Sequence, residues 1–327
     1  MGDPLVVLGE VRTCLLPTSD TLAAEDVTEL LTLQPGRRVL ARERPVPLAI
    51  SPSSAVGVDC ALATVSRSNT RAIGTVASHA VVVGGRIAQS SSSTRVVRAP
   101  VAARRPWSHY LAQVGAVELI PRLGDDTAAA IDLSEGYLEA STAKTLDLAS
   151  ISDRMLTRVR MDDRLDQQPP VRTTATRLRW AARVAPPVEG EDRPRTLFAF
   201  RIEDESLRTV RIMVPSTRDL GGVQRFCEDL AAHDWLLTTL SAALADADRS
   251  GPGRDAVVAL NPLLEQLVHL WMPGAHTPTR LRELWTRLES DPGFSRQWSA
   301  QVGRLRDRLA VATLEALRSA KISTAEW

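Results

Sequence analysis

Lysine is nearly missing from this chain. Of 40 basic residues among 327, only Lys144 and Lys321 are lysines, and the rest are arginines. Alanine, leucine and arginine are the commonest residues, and the arginine share is that of a high-GC genome, so that bias alone supplies some arginine-rich stretches. Aromatic residues are scarce, at 13, and none occurs before Trp107. Base stacking along the first hundred residues is therefore excluded. The three cysteines, Cys14, Cys60 and Cys227, are odd in number and widely spaced. That excludes a disulfide framework and a CxxC-type zinc site, and predicts reduced thiols in a cytosol. No 18-residue window is uninterruptedly apolar, so no membrane-spanning helix is expected. The start, MGDPLVVLGEVRTCLL, lacks a basic region and carries Asp3 and Glu10. It predicts no secretory signal and a cytoplasmic location. Walker A, G-x-G-x-x-G, G-x-S-x-G and H-E-x-x-H patterns are all missing, which lowers the standing of the common nucleotide-binding and hydrolase classes.

What is present is ordinary globular material. Hydrophobic residues make up 44% and charged residues 24%, values that exclude wholesale disorder. A net charge of +1 excludes a generally polycationic nucleic-acid binder but leaves room for a local basic face.

Periodicity divides the chain near residue 215. Before it, residues 5–16, 38–43, 46–50 and 56–66 read as strands, and residues 20–33 as a helix. Val81-Val82-Val83, Gly84-Gly85 and Arg86-Ile87-Ala88 read as a hairpin, because both central residues of a type I′ turn need φ above zero. The Ser90–Ser93 run is expected as an exposed edge or a mobile tip. Ser108 caps a short helix through Val114, residues 124–145 read as irregular, and residues 150–161 read as helical. Leu178, Trp180, Ala182 and Val184 alternate with Arg177, Arg179 and Arg183. Phe198, Phe200 and Ile202 then pair with Val210, Ile212 and Val214 across the Glu203–Ser206 turn. The expectation is an antiparallel meander with one apolar and one arginine-bearing face.

After Pro215 the period changes from two to 3.6. Ser216 and Asp219 resemble a capping box at the start of a long helix. Asn261-Pro262 and Thr277-Pro278 read as starts of two more helices, and a fourth runs from about Ser295. The predicted class is α+β. A β-rich domain of mainly antiparallel strands spans 1–215, with a further break near 100–107, and an α-helical domain of about four helices spans 216–327.

Three patterns invite chemistry. Ser141-Thr142-Ala143-Lys144 matches S-x-x-K, but the companion K-T-G is missing. Asp162-Asp163-Arg164-Leu165-Asp166 matches D-D-x-x-D, which can hold Mg²⁺ against a diphosphate. Here it is single and sits among Arg154, Arg158, Arg160 and Arg164, so an ion-paired helix end is the better reading. His233-Asp234 resembles the metal-binding dipeptide of HD phosphohydrolases, without the partner ligands that site needs. A structural histidine on a helix surface is expected instead. No catalytic residue, metal site or cofactor is assigned.

Arg37 to Arg105 hold eleven arginines and two acids, a local charge of +9. Arg86, Arg95 and Arg98 are the candidate anion-binding residues of this region. Trp235 and Trp271 are candidate interface anchors, although tryptophans at helical spacing more often pack cores.

The segments VLGEVRTCLLP, VGVDCALATV, RAIGTVASHAVVVGGRIAQSS, RRPWSHYL and EDLAAHDWLLTTL resemble a conserved family of actinomycete proteins of unknown function. The resemblance spans nearly the whole chain. It implies a cytosolic component of a multi-protein system, with protein partners encoded in the same gene cluster, one of them P-loop-like. It carries over no catalytic or binding residues. The leading expectation is a non-catalytic interaction or regulatory subunit. The alternatives are an enzyme of unfamiliar type and a nucleic-acid binder using Arg37–Arg105.

Overall fold

The apolar run near the N-terminus forms β1 (Val6–Leu15), and its place in the sheet explains its composition. The computed structural model describes residues 3–66, 70–101, 103–120, 124–139, 145–185, 196–250 and 254–325. After β1 come α1 (Ala24–Leu30), β2 (Leu40–Arg42), β3 (Leu48–Ile50), β4 (Ser54–Leu62), β5 (Thr70–Val83), β6 (Ile87–Arg98), α2 (Trp107–Leu111) and β7 (Ala116–Leu119). Then follow α3 (Asp126–Glu139), α4 (Leu148–Arg160), β8 (Thr176–Val184), β9 (Leu197–Ile202) and β10 (Leu207–Val214). The last elements are α5 (Thr217–Ser250), α6 (Arg254–Gln266), α7 (Arg282–Ser290) and α8 (Phe294–Ala325).

All ten strands join one sheet in the order β2-β3-β5-β7-β6-β1-β8-β10-β9, with β4 beside β5. Pairings are antiparallel except β6–β7 and β8–β10. The expected meander is therefore corrected. β9 and β10 form the expected hairpin, with Val210 opposite Phe200, but β10 runs parallel to β8 and separates it from β9. The diglycine turn follows the sequence reading. Gly84 and Gly85 have φ of 58° and 64°, and the Arg86 amide donates to Val83 O at 3.1 Å.

β1 lies between β6 and β8 and is buried on both faces, so it needs apolar residues at odd and even positions alike. Val7, Val11 and Leu15 face one core with Trp180, Val210, Ile212 and α5 residues Val223, Phe226 and Leu230. Val6 and Leu8 face another with Leu133 and Tyr137 of α3 and Leu148 and Ile151 of α4. The sheet is thus covered by α3 and α4 on one face and by α5 with its following helices on the other. The first core joins strands to α5–α8 without interruption. Residue 215 marks a change of secondary structure, and packing is continuous across it. Each fully buried Leu or Phe in that core contributes about 1.5–3 kcal/mol.

Among the described residues there are eight α-helices: α1–α4 are inserted between strands, and four, α5–α8, follow the last one. Residues 124–145, expected to be irregular, contain α3. Its weak amphipathicity hid it, and it carries Gly136, a poor helix former. In place, Gly136 lets α3 touch the backbone of Thr64, where a Cβ would lie 2.4 Å from Thr64 Cα. The second C-terminal helix begins at Arg254, not at Asn261, and continues through Pro262.

The Ser90–Ser93 run is also corrected. It is neither edge nor tip: β6 is a central strand between β1 and β5, and all four serines are buried. Ser90 donates to Ser152 O at 2.7 Å, and Ser92 to Ser78 Oγ at 3.0 Å. On the other face Ser91 accepts from Gln224 Nε2 at 2.8 Å, and Ser93 donates to Gln224 Oε1 at 3.0 Å. Small side chains let α4 and α5 approach both faces closely, and each hydroxyl keeps a partner.

Candidate functional site

β8 sends Leu178, Trp180 and Ala182 toward α5 and Arg177, Arg179 and Arg183 to the opposite face, because side chains alternate along a strand. β10 places Thr209 beside Arg179 and Arg211 beside Ala181. β9 then places Arg201 beside Thr209 and Ala199 beside Arg211. Arg179, Thr209 and Arg201 therefore form one row across three strands, with the outer Cα atoms about 10 Å apart at ordinary strand spacing. α3 covers this face only as far as Leu138 and Glu139. Beyond them lies an open groove of about 370 Å³ lined by Arg177, Arg179, Arg201 and Arg211, with Glu139 and Glu203 at its rim.

The guanidinium groups are unequally partnered. Glu10, buried beneath the groove, accepts from Arg179 Nε at 3.4 Å and lies 4.0 Å from Arg177 Nη1. Burial pushes the Glu10 carboxyl above its ordinary range, and Arg179, Arg177 and Arg12 pull it back only in part. Arg211 pairs with Glu135 of α3. Arg183 is 9% exposed, and its Nε has no hydrogen-bond partner among the described residues. Burial lowers its pKa. Arg201 is exposed and has no acidic partner among the described residues. Neighbouring like charges on a sheet face cost stability, so the cluster is not explained by folding alone.

A second set of charges lies on the other face, under α5. Glu228 pairs with His79 of β5 at 2.8 Å and with Arg225 at 2.9 Å. Gln89 donates to Thr13 Oγ1 at 3.1 Å and to Glu228 O at 2.8 Å. Burial alone would raise the Glu228 pKa. The charges of His79 and Arg225, with a hydrogen bond from Ser91, outweigh it and hold the carboxyl below its ordinary value.

One turn further, His233 donates through Nδ1 to Asp229 O at 2.7 Å and accepts at Nε2 from the Met272 amide at 3.1 Å. That bonding fits the neutral ring. Asp229 also accepts from Thr277 Oγ1, which in turn accepts from Trp285 Nε1. The cavity among Gln89, Glu228, Asp229, His233 and His276 has about 20 Å³, room for one water-sized group and far below a substrate pocket.

The expected surface histidine is therefore corrected: His233 is 4% exposed and packs against the edges of Trp271 and Trp285. Asp234 turns the other way to a buried pair with Arg208 of β10 at 2.7 Å, where burial raises its pKa against the pull of Arg208. His233 and Asp234 do not share a site. Asp162 and Asp166 lie beyond the end of α4; Asp162 contacts Arg164, and Asp166 accepts from the Ser19 amide at 3.0 Å. Ser141–Lys144 lies outside the described residues. No group of three His, Cys, Asp or Glu among the described residues is placed to hold a metal ion. Cys14, Cys60 and Cys227 are unpaired thiols.

The named binding candidates do not converge. Arg86 is 1% exposed, and its guanidinium donates to Thr18 O, Ser19 O and Thr21 Oγ1. It braces a loop and is turned away from any ligand. Arg95 reaches Gly115 O and Val114 O, each at 3.4 Å, and Arg98 pairs with Asp126. Trp235 is fully buried and donates to Thr174 O at 3.0 Å. Trp271 stacks on Trp298 with centroids 4.5 Å apart. Arg71 and Arg104 share Asp59, so the run from Arg37 to Arg105 is spread over the fold rather than gathered on one face.

The sequence patterns assign no structural role to Glu10 or Glu228. Glu10 is an acid inside an apolar strand, and Glu228 follows directly on an apolar helix stripe. Both breaks in pattern are visible in sequence. No described helix is long and apolar enough to cross a membrane. Comparison with protein-family models, curated proteins and solved structures finds no match to this chain.

Proposed function

We propose that this chain is a non-catalytic binding component that takes an acidic segment of a protein partner on its arginine-bearing sheet face. The observation that carries this reading is the groove formed by Arg177, Arg179, Arg201 and Arg211, in which exposed Arg201 has no acidic partner among the described residues. Its lining carries four arginines against two glutamates, an excess of two positive charges. Glu139 and Glu203 in the lining interrupt the positive surface that a continuous phosphate backbone needs. Leu138, Ala199 and Leu207 add apolar wall, and no aromatic ring lines the groove for base stacking. These features favour a peptide over a nucleic acid. A groove of this size suits one extended segment better than a broad protein face. On this reading the chain takes its place in a cytosolic multi-protein system, as the resemblance to an actinomycete family implies.

The test uses two labelled probes, an octaglutamate peptide and a single-stranded oligonucleotide, followed by fluorescence anisotropy. The peptide binds the wild type and loses at least tenfold in affinity with Arg201→Glu. Tighter binding of the oligonucleotide, or peptide binding indifferent to Arg201→Glu, contradicts the reading.

A further inference from the structure

We infer that the partner segment binds by adding to the sheet as a further strand along the outer edge of β9, with acidic residues alternating with apolar ones. This rests on the acidic-segment reading above and specifies its geometry.

The sheet has three outer strands, and they differ. β2 has three residues and is followed by Pro45 and Pro47, which limits pairing. β4 is already engaged: the Leu146 amide donates to Ala61 O at 2.9 Å, Ala61 bridges Thr145, and Trp107 lies over Gly57. β9 has six residues, Leu-Phe-Ala-Phe-Arg-Ile, with no proline, and among the described residues it pairs with β10 alone. Natural edges are blunted by charge, proline or cover. This one has a single arginine, and its Leu197 and Ile202 are 47% and 64% exposed.

The backbone register says which groups are free. The Glu203 amide donates to Leu207 O at 3.0 Å, so Glu203 and Leu207 form a hydrogen-bonded pair. Antiparallel pairs alternate between bonded and non-bonded. Arg201, Ala199 and Leu197 therefore bond to β10, and the N–H and C=O groups of Phe198, Phe200 and Ile202 point outward.

The side chains specify the occupant. A residue opposite Arg201 or Ala199 on an added strand shares their face and enters the arginine groove. Its neighbours share the face of Phe198, Phe200 and Ile202. There a second groove, of about 720 Å³, is lined by those three with Arg287, Ser290 and Pro292 among others. Alternation with period two then demands acid toward the arginines and apolar side chains toward the phenylalanines. Charge complementarity commits the edge to a partner of that pattern. A second copy of β9 would bring its own Arg201 to a face that already carries an excess of arginine.

The experiment uses the full chain and two ten-residue peptides, one alternating glutamate with valine and one alternating glutamate with proline. Proline keeps the acids but removes the ladder donors. The expected result is at least tenfold tighter binding of the valine peptide, with slowed amide exchange at Phe198, Phe200 and Ile202. Ile202→Pro weakens that binding at least tenfold, while Ile202→Ala, which keeps the amide, stays within threefold. Proline at 202 leaves the β10 ladder intact, because that amide points away from it. Equal binding of both peptides, equal behaviour of both variants, or amides already protected without peptide overturns strand addition. So does a dimer of the free chain in sedimentation that Ile202→Pro dissociates. If both peptides bind alike and depend on Arg201, the acidic-segment reading survives the loss of strand addition. If neither binds, that reading fails as well.

Discussion

Two groups of charges lie on opposite faces of one sheet and differ in completeness. Under α5, Glu228 has His79 on one side and Arg225 on the other; His79 and Glu228 are buried there, and Arg225 is half-buried at the margin. Across the sheet, Arg177 and Arg179 share Glu10, Arg211 holds Glu135, and Arg201 has no acid among the described residues. A closed, paired set holds α5 on the strands and is scaffold. An open set with a guanidinium that has no acidic partner among the described residues has donors left for a ligand. On the proposed reading a ligand is taken where donors remain unsatisfied, not where charge is densest in sequence.

The largest expected effect breaks the closed set. His79→Ala leaves Glu228 buried with only Arg225 and Ser91 as partners, and loss of one partner from a buried pair costs about 3–5 kcal/mol. Urea unfolding at pH 7 measures it, and a loss under 1 kcal/mol contradicts the scaffold role. Next is Arg86→Ala, which leaves loop carbonyls at Thr18 and Ser19 without their donor and costs about 1–3 kcal/mol. Acidic-peptide affinity stays unchanged in that variant, because Arg86 is turned inward.

A pH experiment sharpens the contrast further. The Glu228 carboxyl is held below its ordinary value of 4.5, so the unfolded state takes up the proton first. Its contribution to stability is full above that value and is lost as pH falls through the lower folded value. Glu228→Gln therefore loses stability at neutral pH and shows a shallower decline on acidification, read from unfolding curves at pH 7 and pH 3.5. A variant that declines as steeply as the wild type contradicts the assignment. The smallest stability effect belongs to the open set. Arg201→Ala changes unfolding by no more than about 0.5 kcal/mol, as for an exposed residue without partners. A larger change would show that Arg201 is part of the scaffold.

The strands, the diglycine turn and the arginine-bearing alternation of β8 were legible because they obey local rules of period and backbone conformation. What failed depended on neighbours far along the chain. The serines of β6 look like an exposed tract until two helices are laid across them. Gly136 is a poor helix former, and its place in α3 makes sense only once the backbone of Thr64 lies against it. Pro262 reads as a helix start although the helix began at Arg254. The groove was half legible: Arg177 and Arg179 stood out by alternation, but Arg201 and Arg211 joined them only through the β9 and β10 registers. Arg86 attracted attention as one of a charged run, and the fold used it as a loop brace.

The most direct test of the open-groove account is a residue-resolved NMR titration of the full chain with the glutamate–valine peptide. Amide shifts confined to β8, β10 and β9, and abolished by Arg201→Glu, are the predicted result. Shifts centred on Arg37–Arg44 or on the Trp271–Trp298 stack, or shifts indifferent to Arg201→Glu, would contradict it.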